Sequence, residues 1–283
     1  MRVLMTGATG YLGSAMRDSA PADVELIATG FTRGGLRLDI TDPVAVRNAV
    51  HQQRPDVVVH LAAVSLTASA GEDPDLATRV NVTGARAVAA AAGRYGVRLV
   101  ALSSDVVFDG TGAPYREDAR PNPINAYGAS KLAGEEATAA EHPDALILRT
   151  SVLVGRNRAD RYPFSMHVLQ EAREGREITL YENERRNFYP VTHAASAVWE
   201  CAGSDLTGVL HIAATESSSR FEFGRSLLLA AGLDADLATP AIGPPDRPSD
   251  LTLSVERAAA LLDTPMPTPE EAIDELRRDL HLT

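Results

Sequence analysis

Thr6-Gly7-Ala8-Thr9-Gly10-Tyr11-Leu12-Gly13 follows a short apolar run at residues 3–5 and opens an amphipathic segment. The glycines at 7, 10 and 13 give the spacing G-x-x-G-x-x-G. One glycine permits a tight turn, one lets backbone approach a pyrophosphate, and one lets helix and strand pack closely. The following helix then turns unpaired N–H groups and the positive end of its dipole toward an anion. An ordinary strand-to-helix turn is the plainer alternative. Position argues against it, because the triplet lies between an apolar strand and a helix near the start of the chain.

Working outward, apolar runs at 24–28, 56–63, 98–103 and 145–150 alternate with helical patterns. Asp42 can cap a helix over 43–53, with Pro43 at its first position. Ala77, Val80, Ala85, Val88, Ala89 and Ala92 share one face of another helix. Such alternation predicts right-handed βαβ units and a parallel sheet covered on both faces, a doubly wound α/β (Rossmann) fold. Residues 1–155 form the dinucleotide-binding part, to which the chain returns at about 190–215. Residues 156–189 and 216–283 are expected to form a smaller substrate-binding region. There, 156–161 reads as a loop, 163–174 as a helix, 176–181 and 208–213 as strands. The proline-rich stretch 238–249 reads as a loop, and 269–280 as a closing helix capped by Thr268.

Composition narrows the function. The 283 residues carry a net charge of −11, which disfavours nucleic acid and anionic membrane as main partners. No run approaches the ~18 apolar residues of a membrane span, and no secretory leader is evident. The single cysteine, Cys201, permits no internal disulfide. A cytoplasmic protein without a metal site is expected.

The chain holds 27 Lys+Arg, of which one, Lys131, is lysine. It lies four residues after Tyr127, so the two share a helix face about 5–6 Å apart at Cβ. With 7 tyrosines in the chain, chance would produce that spacing about one time in 40. A free phenol titrates near pH 10, about three units too high for neutral acid–base work. An adjacent ammonium favours the phenolate and lowers that value. A surface helix pair is the bland alternative. Ser104, at the end of a predicted strand, can hold a carbonyl oxygen beside Tyr127. No carboxylate ends the second strand, and Arg33 is close by. That favours a 2′-phosphate and hence NADP(H), with NAD(H) possible. A solvated loop arginine is the alternative reading of Arg33. Arg185 or Arg186 can grip a diphosphate, or form a surface pair.

Together these residues resemble the extended short-chain dehydrogenases/reductases, and within them the dTDP-4-dehydrorhamnose reductase-like proteins. The likeness rests on Ser103-Ser104-Asp105-Val106-Val107-Phe108-Asp109-Gly110 and on Asn125-Ala126-Tyr127-Gly128-Ala129-Ser130-Lys131-Leu132-Ala133-Gly134-Glu135. Leu38-Asp39-Ile40-Thr41-Asp42, His60-Leu61-Ala62-Ala63, Val80-Asn81 and Leu148-Arg149-Thr150-Ser151 extend it. The resemblance implies a Ser104–Tyr127–Lys131 catalytic triad. It implies dinucleotide contacts at Gly7, Thr9, Gly10, Tyr11, Leu12, Gly13, Arg33, Asp39, Ile40, Leu61, Ala62, Ala63 and Lys131. Substrate contacts fall at Ser104, Asp105, Tyr127 and Arg186. The implied reaction is NAD(P)H-dependent reduction of a 4-keto group on a nucleotide-activated deoxysugar, in a possible homodimer. A sugar-nucleotide epimerase or dehydratase, or a non-catalytic dinucleotide-binding regulator, are the rival readings. Val152 stands where the family often has tryptophan, and Phe188 and His193 stand where a proline and an acid are usual.

Overall fold

The computed structural model describes residues 1–31, 35–64, 73–156 and 163–281. Arg33 and nearly all of the expected loop at 156–161 lie outside the described residues. The first strands are β1 (Arg2–Thr6), β2 (Glu25–Gly30), β3 (Leu36–Arg37), β4 (Val57–His60), β5 (Arg98–Ser104) and β6 (Leu146–Thr150). Four short strands follow: β7 (Leu153–Val154), β8 (Ile178–Tyr181), β9 (Arg185–Arg186) and β10 (Tyr189–Pro190). The chain then returns at β11 (Gly208–Ile212). The main sheet has the order β11-β6-β5-β4-β1-β2-β3, and every pairing in it is parallel. This is the doubly wound order, whose switch point lies between β1 and β4.

Alternate residues of the strands feed two different cores. Val3, Met5, Val57 and Val59 face one cluster, while Leu4 and Val58 face the other. Burial on both faces explains why the strands read as unbroken apolar runs. The faces are covered by α1 (Tyr11–Asp18), α2 (Pro43–Gln53), a short α3 (Pro74–Thr78), α4 (Ala85–Tyr95) and α5 (Ala126–Glu141). The sequence expectations for α2 hold: Asp42 Oδ1 accepts from the N–H groups of Val44 at 2.9 Å and Ala45 at 3.1 Å.

The expected helix through Ala77 and Ala92 is not uniform. Residues Arg79–Gly84 widen into a π-helical segment between α3 and α4. Such single-turn insertions are frequent at functional sites, and this one carries the buried Asn81.

Beyond β6 lie α6 (Phe164–Arg173), α7 (Val191–Ala202), α8 (Arg220–Ala230), α9 (Glu256–Leu261) and α10 (Pro269–Asp279), with strands β12 (Ser218–Ser219) and β13 (Ala238–Ala241). Helix α7 covers the main sheet, and its Trp199 Nε1 donates to Met16 O of α1 at 3.1 Å. A third apolar cluster gathers Val154, Leu169, Ile178, Phe188, Phe223 and Leu227. Phe188 stacks on Phe223 with ring centroids 4.0 Å apart. The residue that departs from the family pattern is therefore an aromatic core anchor. The proline-rich stretch is not all loop, since β13 pairs in parallel with β8. Proline is tolerated there because β13 is an edge strand of a two-stranded sheet. Thr268 caps α10 in a reciprocal arrangement with Glu271. Among the described residues, no helix is long and apolar enough to cross a membrane.

Candidate active site at the crest of the sheet

The glycine turn sits where β1 and β4 diverge. Gly7 has φ +72°, and a Cβ on it would lie 2.6 Å from Ala62 N. A Cβ on Gly13 would lie 2.3 Å from Gly7 O. Only glycine allows the turn to press against residues 61–62 and α1 to press against the turn. Gly10 is the N-cap of α1 and supplies no side-chain cap to its first turn, an arrangement that suits an anionic group such as a dinucleotide pyrophosphate. The cradle fits that group.

On its flank, Asp39 Oδ1 accepts from Thr41 N at 2.9 Å and Thr41 Oγ1 at 2.7 Å. Ile40 is buried, its side chain packed where a Cβ on Gly84 would stand. Arg37 pairs in register with Gly30 at the end of β2, and its guanidinium lies 5.7 Å from the centroid of the Phe31 ring. It is a cation at the second strand's end that sequence reading did not single out.

Ser104 ends β5, and Tyr127 and Lys131 lie on the first turns of α5. The sequence brings them together through Gly128. A Cβ there would stand 2.2 Å from Val106 O, so α5 seats directly on the turn that follows β5. Asn125 caps the helix by accepting from Gly128 N at 2.8 Å. Ser104 bears on the Tyr127 phenol and favours its ionised form. Lys131 Nζ donates to Leu102 O at 2.8 Å. The lysine also faces the glycine turn's support: it bears electrostatically on His60, whose Nδ1 is bonded to Thr6 Oγ1 at 2.7 Å.

The electrostatics correct one expectation. Burial, followed by the charge of Asp105, raises the Tyr127 phenol above its ordinary value; Ser104 is the opposing influence. Lys131 is itself brought down by burial, to about 8, and its Nζ donates to Leu102 O. Desolvation outweighs the favourable pair. Burial, then Lys131, takes His60 down to about 3, so it is neutral.

Two expected substrate contacts are committed inside the protein. Asp105 is buried, and its carboxylate accepts from Ser104 Oγ at 3.0 Å and Ser151 Oγ at 2.5 Å. Burial raises its pKa, with Arg186 the main opposing charge. Arg186 is neither a surface pair nor open to a diphosphate. It is buried, and its guanidinium donates to the carbonyls of Arg185, Pro248 and Ser249 at 2.6–2.8 Å. Satisfying those carbonyls outweighs leaving the charge in water.

Sequence reading missed several supports. Asn81, placed by the π segment, donates to Ser130 Oγ at 2.9 Å and Val64 O at 3.2 Å, and accepts from Val64 N at 2.8 Å. It ties the loop after β4 to α5. A buried asparagine within an alanine-rich helical pattern was the available signal. Glu184, fully buried, receives Arg220 Nε at 2.6 Å and Arg247 Nη2 at 2.9 Å, with Arg186 3.9 Å away. Arg186 is shared with Asp105, 4.0 Å away, so three guanidiniums meet two carboxylates and a positive surplus remains. Arg220 bears electrostatically on Asp105, so this surplus lies beside the site.

With this geometry in hand, the chain matches the family model described as RmlD substrate binding domain over residues 1–281. The chain belongs to that family. It is 30% identical to a dTDP-4-dehydrorhamnose reductase of Mycolicibacterium smegmatis over 281 residues, covering 97% of this chain and 84% of that protein. It is 38% identical over 158 residues to methionine adenosyltransferase 2 subunit beta of Xenopus tropicalis, covering 54% of this chain and 47% of that protein. The match thus spans about half the length of that relative. Among solved structures, a dTDP-4-dehydrorhamnose reductase of Bacillus anthracis in complex with NADP superposes with a TM-score of 0.89 at 29% identity, covering 100% of this chain and 98% of that one.

The buried histidine sets a pH dependence. Between about pH 6.5 and about 3 the unfolded chain binds a proton that folded His60 refuses, so stability falls as pH falls through that window. Burial likewise lowers His211, to about 4, and adds with the same sign. Each contributes at most about 1.4 kcal/mol per pH unit. Urea unfolding at stepped pH should show the acid slope reduced by about one proton in His60→Asn. An unchanged slope would mean that His60 protonates freely in the fold.

Proposed function

We propose that the chain is an NADPH-dependent ketoreductase acting on the 4-keto group of a dTDP-activated 6-deoxysugar. The observation that carries this reading is the meeting of Ser104, Tyr127 and Lys131 beside the glycine turn at the crest of a parallel sheet. NADPH, when bound, supplies the hydride for the carbonyl carbon. Tyr127 gives its proton to the carbonyl oxygen, and Ser104 helps to hold that oxygen in place. A phenol kept protonated by burial suits the reducing direction, in which it acts as the acid. Lys131 carries its positive charge behind the phenol, where the ribose of the dinucleotide would lie.

The region around the third apolar cluster is assigned to the nucleotide sugar. Arg220 and Arg247 replace Arg186 as the arginines for a diphosphate. They are partly exposed and belong to the positive group around Glu184. Arg37 and the missing carboxylate at the end of β2 support NADPH over NADH. The full-length likeness to a dTDP-4-dehydrorhamnose reductase supports the sugar assignment.

The dehydratase reading is disfavoured because Asp105 directly after Ser104 is followed by Val106 rather than a second acid, and its two oxygens are engaged by serines. The likeness to a methionine adenosyltransferase beta subunit favours a second reading, in which the chain binds dinucleotide and serves as a subunit of another enzyme. Turnover separates the two. Mixed with NADPH and dTDP-4-dehydrorhamnose, the protein should bleach the reduced nicotinamide band. NADPH binding with no bleaching would support the subunit reading and overturn the reductase.

Two variants sharpen the test. Tyr127→Phe should lower kcat by about 10²–10⁴-fold while leaving the NADPH dissociation constant within about twofold, since one hydroxyl away from the phosphates is removed. Full turnover in that variant would remove Tyr127 from its role. Arg37→Ala should raise KM for NADPH by about 10-fold and leave NADH unaffected, the worth of one charge-assisted hydrogen bond. Equal effects on both dinucleotides would place Arg37 away from the 2′-phosphate.

A further inference from the structure

Behind Lys131 lies a small cavity between α5 and the strands β4 and β5. Its polar lining includes His60, Asn81, Ser103, Lys131, Glu135 and Thr138. Lys131 is the one cation of that lining and Glu135 the one anion. Ser103 Oγ, buried beside them, has no hydrogen-bond partner. A lysine ammonium in such a place is costly without a nearby negative charge.

Glu135 lies one helical turn beyond Lys131, on the same face of α5. It cannot swing away. Arg149, on β6, grips it with Nε at 3.0 Å from Oε1 and Nη2 at 2.7 Å from Oε2, and both side chains are nearly inaccessible to solvent. The guanidinium is in turn braced over the Phe108 ring, 5.1 Å from its centroid. The arginine thus fixes where the carboxylate charge sits along the helix.

We propose that Glu135, clamped by Arg149, is the positioning residue that supplies the counter-charge for the buried Lys131 ammonium. Nothing in the proposed reaction uses Glu135 directly; it acts through the lysine. The inference rests on Lys131 belonging to the working site described above. The other groups that face the pair are few. His60 on β4 is neutral and supplies no charge. His211 on β11 feels both Glu135 and Arg149, and burial keeps it neutral above about pH 4. Glu117 accepts from His211 N at 3.3 Å and is set against that histidine rather than the lysine. Glu135 is the group that favours the charged lysine, against burial.

The sequence makes the test direct. The chain has one lysine, so isotope-labelled lysine yields a single side-chain amine resonance whose titration belongs to Lys131 alone. This readout needs no substrate, so it stands whether or not the reductase reading does. In the wild-type protein the resonance should titrate well below the ordinary lysine midpoint. In Glu135→Gln, which keeps the shape and removes the charge, the midpoint should fall further, by about one pH unit or more. Glu135→Asp should restore most of the difference. The double variant Glu135→Gln/Arg149→Met removes the arginine's charge together with the carboxylate's, so it should show a smaller downward movement, and it serves where the single variant fails to fold. With substrate, the alkaline limb of kcat/KM should move to lower pH by the same amount.

An unmoved midpoint in a folded Glu135→Gln or double variant would overturn the proposal. So would a wild-type midpoint at the ordinary lysine value, which would show the ammonium solvated and in no need of a counter-charge. Absent turnover with a shifted midpoint would count against the ketoreductase alone.

Discussion

The site depends on backbones that approach more closely than any side chain permits. Gly7 lies against Ala62, Gly13 against Gly7, and Gly128 against Val106, each at a separation where a Cβ would clash. Gly134 does the same against Asn81 O, where a Cβ would be 2.3 Å away. The first two contacts set the glycine turn and the start of α1 over the switch point of the sheet. The last two seat α5 on the turn after β5 and on the π segment. Tyr127 and Lys131 are carried on α5, so their position at the crest follows from contacts made by glycine. A methyl group at Gly128 would lift the helix from the turn and separate Tyr127 from Ser104.

Burial then governs the chemistry. The phenol of Tyr127 and the carboxyl of Asp105 are raised, and the ammonium of Lys131 and the imidazole of His60 are lowered. All four shifts favour neutral forms, as desolvation requires. The charges that persist are held by pairing: Arg149 on Glu135, and Arg220 and Arg247 on Glu184. A proton donor held neutral is suited to a carbonyl that gains negative charge as it is reduced.

Much of this was legible in the sequence where a physical need maps onto one residue type. Positive φ and close approach demand glycine, so the turn at 7–13 could be read directly. Asp42 and Pro43 marked the start of α2, and Thr268 that of α10. The spacing of Tyr127 and Lys131 put both on one helix face. Less was legible where the deciding contact is distant in the chain. Nothing local says that Arg186, rather than Arg185, turns inward to carbonyls at 248 and 249. Helix α7 is buried along most of its length, which erases the polar alternation that marks a surface helix. The net shift of Tyr127 runs opposite to the one expected from Lys131, because spacing conveys proximity and says nothing of desolvation. Asp105, read as a substrate contact, belongs to a serine-bonded support whose second serine, Ser151, is 46 residues away.

The central claim is that the crest formed by the glycine turn, residues 61–63 and the Tyr127–Lys131 face of α5 is one dinucleotide site with the phenol at its reacting end. A crystal structure of the protein with NADP⁺ measures this most directly. The account predicts the pyrophosphate at the N-terminus of α1 and the nicotinamide ring beside Tyr127, with Lys131 near the adjoining ribose. A dinucleotide bound elsewhere, or one whose nicotinamide points away from the phenol, would contradict it.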